Sequence, residues 1–123
     1  MTKKSFKEEL EKLLDSTVDK MDKSKLINFA KNCIYEFESA IPFDIGNKGL
    51  SWTDEELKIV LSLPPTKENI LQLAKCFKRN IGSIEQIFRW AVTPKDVIKS
   101  KGRDNDAFIL QIKKIYKELG WRA

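Results

Sequence analysis

Apolar residues recur along most of the chain at the three-to-four-residue spacing of helices that bury one face. Residues 4–18 show this pattern first, and residues 24–39 repeat it after a short polar link. Two such helices joined by a short link favour an antiparallel pair. The pattern therefore predicts a helical hairpin over residues 1–40, with Ser24 as the N-cap of its second helix.

The clearest sequence signal for the start of a helix follows a loop at residues 41–51 that contains two glycines. Thr53 and Glu56 have the spacing of a capping box, in which each side chain accepts from the backbone N–H of the other residue. Trp52 precedes the cap and is placed to pack on Leu57. Pro64 and Pro65 predict the end of this helix.

Two further helices are predicted on either side of a tight turn at residues 79–82. Thr66 caps the first of them. Ser83 and Gln86 have capping-box spacing and predict that the second begins at Ser83. The inward side of this helix is predicted to hold Ile84, Ile87, Phe88 and Ala91, and the outward side Ser83, Glu85, Gln86, Arg89 and Trp90. Whether Trp90 packs inside or forms a contact surface stays open.

The last thirty residues predict a short helix to about Ser100, with Thr93 as cap and Pro94 as first helical residue. A final helix, capped by Asp104 or Asn105, then runs to Gly120. No stretch alternates with the period of a strand. We therefore expect an all-α fold with a hairpin at 1–40, a three-helix helix-turn-helix module at 51–92 and a helical extension at 93–123.

Positive charge is concentrated in one part of the chain. The formal net charge is +5, and residues 1–50 are balanced, with nine lysines and nine acidic residues. Between residues 75 and 103 there are eight basic and two acidic residues, so this segment carries +6. A local excess of this kind suits a polyanionic partner.

Several classes of chemistry are excluded or disfavoured by the residues present. The chain has no histidine, so Ser-His and Cys-His arrangements are impossible. Cys33 and Cys76 lack metal-ligand spacing and are expected to be reduced core thiols. No signal peptide or apolar run long enough to span a membrane is present, and we expect a cytoplasmic protein. No cofactor, metal or catalytic residue is expected.

A set of residues superficially resembles the Pro-Asp … Glu-x-Lys pattern of metal-dependent nucleases. It consists of Pro42, Asp44, Glu56 and Lys58. Glu56 and Lys58 fall on one predicted helix, about 200° apart around its axis, so they would not converge on one metal ion. We therefore expect no enzyme.

The segment 52–91 resembles a Myb/SANT-type, homeodomain-like domain. The shared residues are Trp52-Thr53-Asp54-Glu55-Glu56-Leu57, Ile70-x-x-Leu73-Ala74, Arg79, Ser83-Ile84 and Phe88. Myb-type domains usually have tryptophan at the positions of Ile70 and Phe88, and both departures keep a large apolar residue. The sequence is also similar to a bacterial variant, WT-EEL … LA … R-x-x-GSI, which occurs beside nuclease domains in restriction-linked proteins.

The resemblance implies that the third helix of this module contacts double-stranded DNA. Such a helix reads base edges in the major groove while other residues bind phosphates. The candidates for base contact are Ser83, Gln86 and Arg89. The candidates for backbone contact are Lys75, Lys78, Arg79, Lys95, Lys99, Lys101 and Arg103. We expect a bacterial or phage protein with a regulatory or accessory role in transcription.

Two other functions compete with this one. The protein could be a non-enzymatic adaptor or inhibitor from a mobile element that binds a partner protein through the same helices. It could also target a separate nuclease to DNA. The apolar face of the hairpin at residues 1–40 is expected to meet the rest of the chain, a second copy in a homodimer, or a partner protein.

Overall fold

The computed structural model describes residues 1–120 and shows seven helices and no strand in that range. The prediction of an all-helical chain is confirmed. The helices are α1 (Lys3–Asp15), α2 (Lys23–Ala40), α3 (Asp54–Leu61), α4 (Lys67–Phe77), α5 (Ile81–Val92), α6 (Lys95–Ser100) and α7 (Ala107–Glu118). They fall into two compact units, the first comprising residues 1–42 and the second beginning at residue 43.

The first unit consists of α1 and α2, which pack against each other. Asp22 caps α2 by accepting a hydrogen bond from the N–H of Lys25 at 2.9 Å. Ser24 therefore lies inside the first turn, and its prediction as the cap was wrong because a stronger acceptor stands two residues earlier. Leu26 is the hydrophobic side chain that these two helices bury.

The second unit has a substantial core built where α3, α5 and α7 pack on one another, with α4 packed on α5. The side chains with less than 2 % exposure include Leu57, Leu71, Ile84, Ile87, Ile112 and Ile115. The predicted inward side of α5 is confirmed at Ile84, Ile87 and Ala91. Trp52 is also buried, and its ring meets that of Phe77 edge-on with 5.4 Å between the centroids.

Four of the five helices that begin in the second unit have a side-chain cap, in some cases at another residue than predicted. The capping box of Thr53 and Glu56 is present, and Thr66 caps α4. The cap of α7 is Asp106, which accepts from the N–H of Ile109 at 3.0 Å, so neither Asp104 nor Asn105 has this role. Pro94 occupies the cap position of α6 without a side-chain hydrogen bond, so the prediction of Thr93 as cap and Pro94 as first helical residue was wrong.

Both cysteines are exposed, contrary to the expectation that they are core thiols. Cys33 and Cys76 lie on α2 and α4 next to apolar neighbours in sequence, but their positions on the helical circumference point away from the buried side chains. Local composition alone does not distinguish the two sides of an amphipathic helix.

A polar cluster connects the start of α3 to α7. The side-chain amide of Gln111 donates to the carbonyl oxygen of Trp52 at 3.0 Å and to Oδ1 of Asp54 at 2.9 Å. The ammonium of Lys114 donates to Oδ2 of Asp54 at 2.8 Å. The hydrogen bonds from Lys114 and then Gln111 lower the pKa of Asp54, and the same contact raises the pKa of Lys114.

The substitution Asp54→Asn tests this cluster through its pH dependence. The pKa of Asp54 lies below its ordinary value of 3.8, so the ionised carboxylate stabilises the fold above that pH. This stabilisation is lost as the pH falls through the lower folded-state pKa. We expect Asp54→Asn to lower the urea midpoint near pH 7 and to approach the wild type near pH 2.

The matched control is Glu55→Gln, which removes an exposed carboxylate from the same helical turn. No hydrogen bond or ion pair of the Glu55 side chain occurs within residues 1–120. Its midpoint should follow the wild type more closely across the same pH range. Equal pH dependence in the two variants would contradict the role given to Asp54.

Candidate nucleic-acid interface

A tight turn joins α4 to α5 and sets the direction of α5. Lys78 ends α4 in the left-handed conformation with φ 54°, and Asn80 is extended and caps α5. Ala74 is fully buried where the two helices pack. A side chain of this size permits close approach of two helices, so α4 supports α5 from one side.

The first turn of α5 starts earlier than predicted. Oδ1 of Asn80 accepts from the N–H of Ser83 at 2.8 Å and from its hydroxyl at 2.7 Å. Ser83 is therefore the third residue of the helix, and the predicted capping box of Ser83 with Gln86 was wrong. The hydroxyl proton of Ser83 is already used inside the protein and the residue is half-buried, which disfavours it as a base contact.

The outward face of α5 is formed by Glu85, Gln86 and Arg89, which are all exposed. Gln86 and Arg89 are three residues apart and therefore lie on the same side of the helix. Within residues 1–120, neither side chain has a hydrogen bond or an ion pair. This face thus presents an amide and a guanidinium with their hydrogen-bonding groups available.

Trp90 belongs to the margin of the core. It is half-buried and packs against the buried cluster of the second unit. The ammonium of Lys101 lies 5.7 Å from the centroid of its ring, within the range of a cation–π contact. The sequence left open whether Trp90 packs inside or forms a contact surface, and the structure shows that it packs at the edge of the core.

Arg79 does not have the position expected of a phosphate contact. Its side chain is only 4 % exposed. The guanidinium donates to the carbonyl oxygens of Leu50 and Ser51 and lies over the ring of Trp52, with Cζ 4.2 Å from the centroid. The prediction of Arg79 as a backbone contact was therefore wrong, because its charge is directed into the protein.

The other residues predicted to contact the DNA backbone differ in exposure and in whether an acidic side chain pairs with them. Lys78 forms an ion pair with Asp44 at 3.6 Å, and Arg103 forms one with Asp106 at 3.7 Å. Lys75 is half-buried. Lys95 and Lys99 are exposed and have no ion pair within the described part of the chain. Lys95 and Lys99 are thus the most available cations of the predicted set.

A groove between α6 and α7 brings lysines of the last helix close to Lys95 of α6. It has a volume of about 540 Å³ and its lining includes Lys95, Lys113, Lys114 and Lys117. Burial, and then repulsion from Lys95, lowers the pKa of Lys113, whose ammonium donates to the carbonyl oxygen of Ala91 at 2.8 Å. The proximity of Lys95 to Lys113 depends on how α6 folds back, so helical spacing alone did not reveal it.

The described residues offer no alternative centre for metal chemistry. Within residues 1–120, no group of three Cys, Asp or Glu side chains is arranged to hold a metal ion. Asp44 pairs with Lys78, and Glu56 accepts from the N–H of Thr53 at 2.9 Å as part of the cap.

Within residues 1–120, no helix is long and apolar enough to cross a membrane.

Comparison with known proteins gives a family for the chain. Residues 46–123 match a family described as "Uncharacterised protein PM1205 C-terminal domain". The chain is also 42 % identical, over 128 residues, to "Uncharacterized protein PM1205" of Pasteurella multocida (strain Pm70), and the match covers 99 % of each chain. The chain belongs to the PM1205 family. No solved structure matches it.

The family match and the candidate interface overlap in the second unit. The matched residues 46–123 include α3 to α7 and so contain α5 and the α6–α7 groove. The hairpin of α1 and α2 precedes the matched segment, although the relative from Pasteurella is similar over the whole length. The resemblance to Myb/SANT domains is a prediction that these matches do not address.

Substitution of Arg79 tests the reassignment of this residue. We expect Arg79→Ala to destabilise the second unit by about 2–4 kcal/mol, because two carbonyl groups lose their donor and a buried cavity forms. Arg79→Lys should recover only part of this loss, since an ammonium lacks the planar fork that spans both carbonyls. Urea unfolding followed by tryptophan fluorescence measures the effect.

Lys99→Ala serves as the control, because it removes an exposed base without known contacts. Its free energy of unfolding should stay within about 0.5 kcal/mol of the wild type. A stable Arg79→Ala protein would contradict the structural role and return Arg79 to the set of phosphate contacts.

Proposed function

We propose that this protein is a sequence-preferring double-stranded DNA-binding protein that places α5 in the major groove. The observation that carries the proposal is the exposed pair Gln86 and Arg89 on one face of α5, directly after the tight turn. Both side chains keep their hydrogen-bonding groups available within the described residues. The turn and the close packing on α4 support the angle at which such a helix enters a groove.

The chemistry of the outward face suits direct recognition of bases. A glutamine amide pairs in a bidentate manner with adenine, and an arginine guanidinium pairs similarly with guanine. Glu85, next to Gln86, is able to accept from the amino group of cytosine. Three adjacent side chains with different preferences favour a protein that discriminates between sequences, in a regulatory or accessory role.

The distribution of charge supports contact with the DNA backbone. The second unit carries the whole net charge of +5. Lys95 and Lys99 are exposed on α6, and Lys113 and Lys117 line the neighbouring groove. The clustering of Lys95 with Lys113 costs electrostatic energy in the free protein, and a phosphate in the groove would relieve it.

Salt dependence of binding is the first test. If about five phosphates are neutralised, the logarithm of affinity should fall against the logarithm of salt concentration with a slope near −4.5. Lys95→Ala and Lys99→Ala should each weaken binding to all duplexes and reduce the slope by about 1. Fluorescence anisotropy with labelled duplex measures both. Lys4→Ala, outside the second unit, is the control and should change neither. Salt-independent binding or none to any duplex would reject the proposal.

Sequence preference is the second test and concerns α5 itself. After selection of a preferred duplex from a random pool, Gln86→Ala and Arg89→Ala should each cost about 1–3 kcal/mol on that duplex. On unrelated duplexes, Gln86→Ala should have little effect. The exposed Lys58 of α3 provides a control, and Lys58→Ala should keep the preference of the wild type. Unchanged preference in both α5 variants would mean that another surface contacts the bases.

An adaptor or inhibitor that binds a partner protein is the second candidate. It is favoured by an apolar groove of about 350 Å³ between the end of α3 and the end of α5, lined by Leu61, Leu63, Pro64, Val92 and other residues. Val92 is 55 % exposed. Arg89 also lines this groove, so an uncharged substitution is used to separate the two functions. Leu63→Ser combined with Val92→Ser should abolish capture of a partner and leave DNA affinity within a few-fold of the wild type.

A further inference from the structure

Arg79 is a buried cation whose charge no acidic side chain offsets. Among residues 1–120 it is the one polar or charged residue that is buried. No carboxylate of these residues lies within ion-pair distance of its guanidinium, which contacts the carbonyl oxygens of Leu50 and Ser51 and the ring of Trp52. Neutral dipoles and an aromatic face replace the water around an ion only in part, so a full negative charge nearby would stabilise it further.

The guanidinium also retains hydrogen-bond donors. Its bonds to Leu50 and Ser51 use the two terminal nitrogens and only part of the N–H groups of an arginine. The Nε atom is buried and has no hydrogen-bond partner. Buried donors without an acceptor are uncommon in folded proteins and carry a free-energy cost. Both the charge and the donors of Arg79 therefore indicate a missing anionic acceptor.

A pocket of the second unit adjoins Arg79. It has a volume of about 410 Å³ and is lined by Arg79, residues 49–52, Gln111 and the first two residues of α7, Ala107 and Phe108. This volume lies within the range of roughly 300–1,000 Å³ that small-molecule sites occupy. Among the described residues of the lining, Arg79 is the one charged side chain. The pocket is therefore positive and contains no carboxylate of its own.

The start of α7 adds a second positive element to this pocket. Within residues 1–120, the N–H groups of Ala107 and Phe108 have no acceptor, as is usual at the positive end of a helix. Asp106 caps the helix, but its carboxylate accepts from the N–H of Ile109 and pairs with Arg103, and it is not part of the lining. A buried arginine and a helix start thus favour negative charge in the same pocket.

The wall of the pocket opposite α7 is held in place by the loop before α3. The side-chain amide of Asn47 donates to the carbonyl oxygen of Phe77 at 3.0 Å, and the backbone N–H of Asn47 donates to the carbonyl oxygen of Lys78 at 3.1 Å. These bonds fix the loop to the end of α4, next to the turn that contains Arg79. A wall that is already ordered lowers the entropic cost of binding a ligand.

We propose that this pocket binds a small organic carboxylate, with the carboxylate against Arg79 and the start of α7. The planar guanidinium matches the two oxygens of a carboxylate. A ligand with one negative charge fits a lining with one positive side chain, whereas a phosphate dianion would keep an unpaired charge in a partly enclosed site. Leu50, Trp52 and Phe108 suit a short aliphatic or aromatic body. The proposal is independent of whether the second unit binds DNA.

Nuclear magnetic resonance titration of the full, ¹⁵N-labelled chain gives the first test. The probes are sodium acetate and sodium benzoate, with sodium chloride at equal ionic strength as the reference. We expect saturable shifts of the Nε–H signal of Arg79 and of the amide signals of Ala107 and Phe108, with a dissociation constant in the millimolar range or below. Benzoate should bind more tightly than acetate, because its ring covers apolar surface of the lining.

The same titration with inorganic phosphate tests the chemical class of the ligand. Phosphate should bind at least about tenfold more weakly than benzoate, because its second charge has no partner in the lining. Phosphate that binds more tightly than both carboxylates would overturn the assignment of the pocket to carboxylates. Shifts that do not saturate with either carboxylate, or that sodium chloride reproduces, would overturn the proposal altogether.

A variant at the start of α7 tests the location without disturbing Arg79. Ala107 is exposed, and a glutamate in the first turn of a helix is compatible with its dipole, so Ala107→Glu should fold. Its carboxylate competes for the same donors and repels the ligand, and the dissociation constant of benzoate should rise at least about tenfold. Ile59→Glu is the matched control, because it adds the same charge at a position of α3 that is 52 % exposed and outside the lining. Unchanged affinity in Ala107→Glu, or an equal loss in both variants, would overturn the proposal.

Thermal unfolding gives an independent readout of the same variants. A ligand that binds the folded chain and not the unfolded chain raises the Tm. Benzoate should raise the Tm of the wild type and of Ile59→Glu, and it should raise the Tm of Ala107→Glu much less. The unfolding curves without ligand show whether each variant is folded. Equal increases in all three proteins would indicate a general effect of the salt and would contradict a site beside Arg79.

Discussion

The position of α5 depends on the hydrogen bonds and the aromatic contact of one buried arginine in the preceding turn. Arg79 lies between the carbonyl oxygens of Leu50 and Ser51 on one side and the ring of Trp52 on the other. These acceptors stand immediately before α3, so the guanidinium joins the turn after α4 to the start of α3. Burial of the charge is compensated by two carbonyls and an aromatic face, although Nε is left without a partner. Rotation of α5 relative to the core would break all of these contacts together.

The sequence predicted those parts of the fold that depend on local chemistry. The capping box at Thr53, the cap at Thr66 and the buried side of α5 each depend on residues three or four positions apart in the sequence. Where two polar residues competed for a cap, as Asn80 did with Ser83, local rules did not choose between them. Arg79 was misassigned for a different reason, because its partners lie 28 and 29 residues earlier in the chain.

The difference between local and long-range contacts also explains which parts of the candidate interface could be predicted from the sequence. The exposure of Gln86 and Arg89 follows from the apolar period of α5, and for that reason it was predictable. Which cations remain available was not predictable, because Lys78 and Lys114 are paired with acidic residues whose proximity depends on the tertiary fold. The number of basic residues in a segment is therefore larger than the number that remain available to bind phosphates. In this chain the available charge lies mostly on α6 and along its groove with α7.

The two units differ in how much apolar surface they bury and in the net charge that they carry. The second unit has a substantial buried core, and its net positive charge suits a nucleic acid. The first unit leaves aromatic and aliphatic groups exposed and carries no excess charge, which gives a phosphate backbone nothing to bind. Single helix-turn-helix modules bind weakly, and a two-fold pair contacts two half-sites with much higher affinity. Under the proposed function, one copy of α5 is therefore expected to bind a duplex weakly, and strong binding would need a second module on a second half-site.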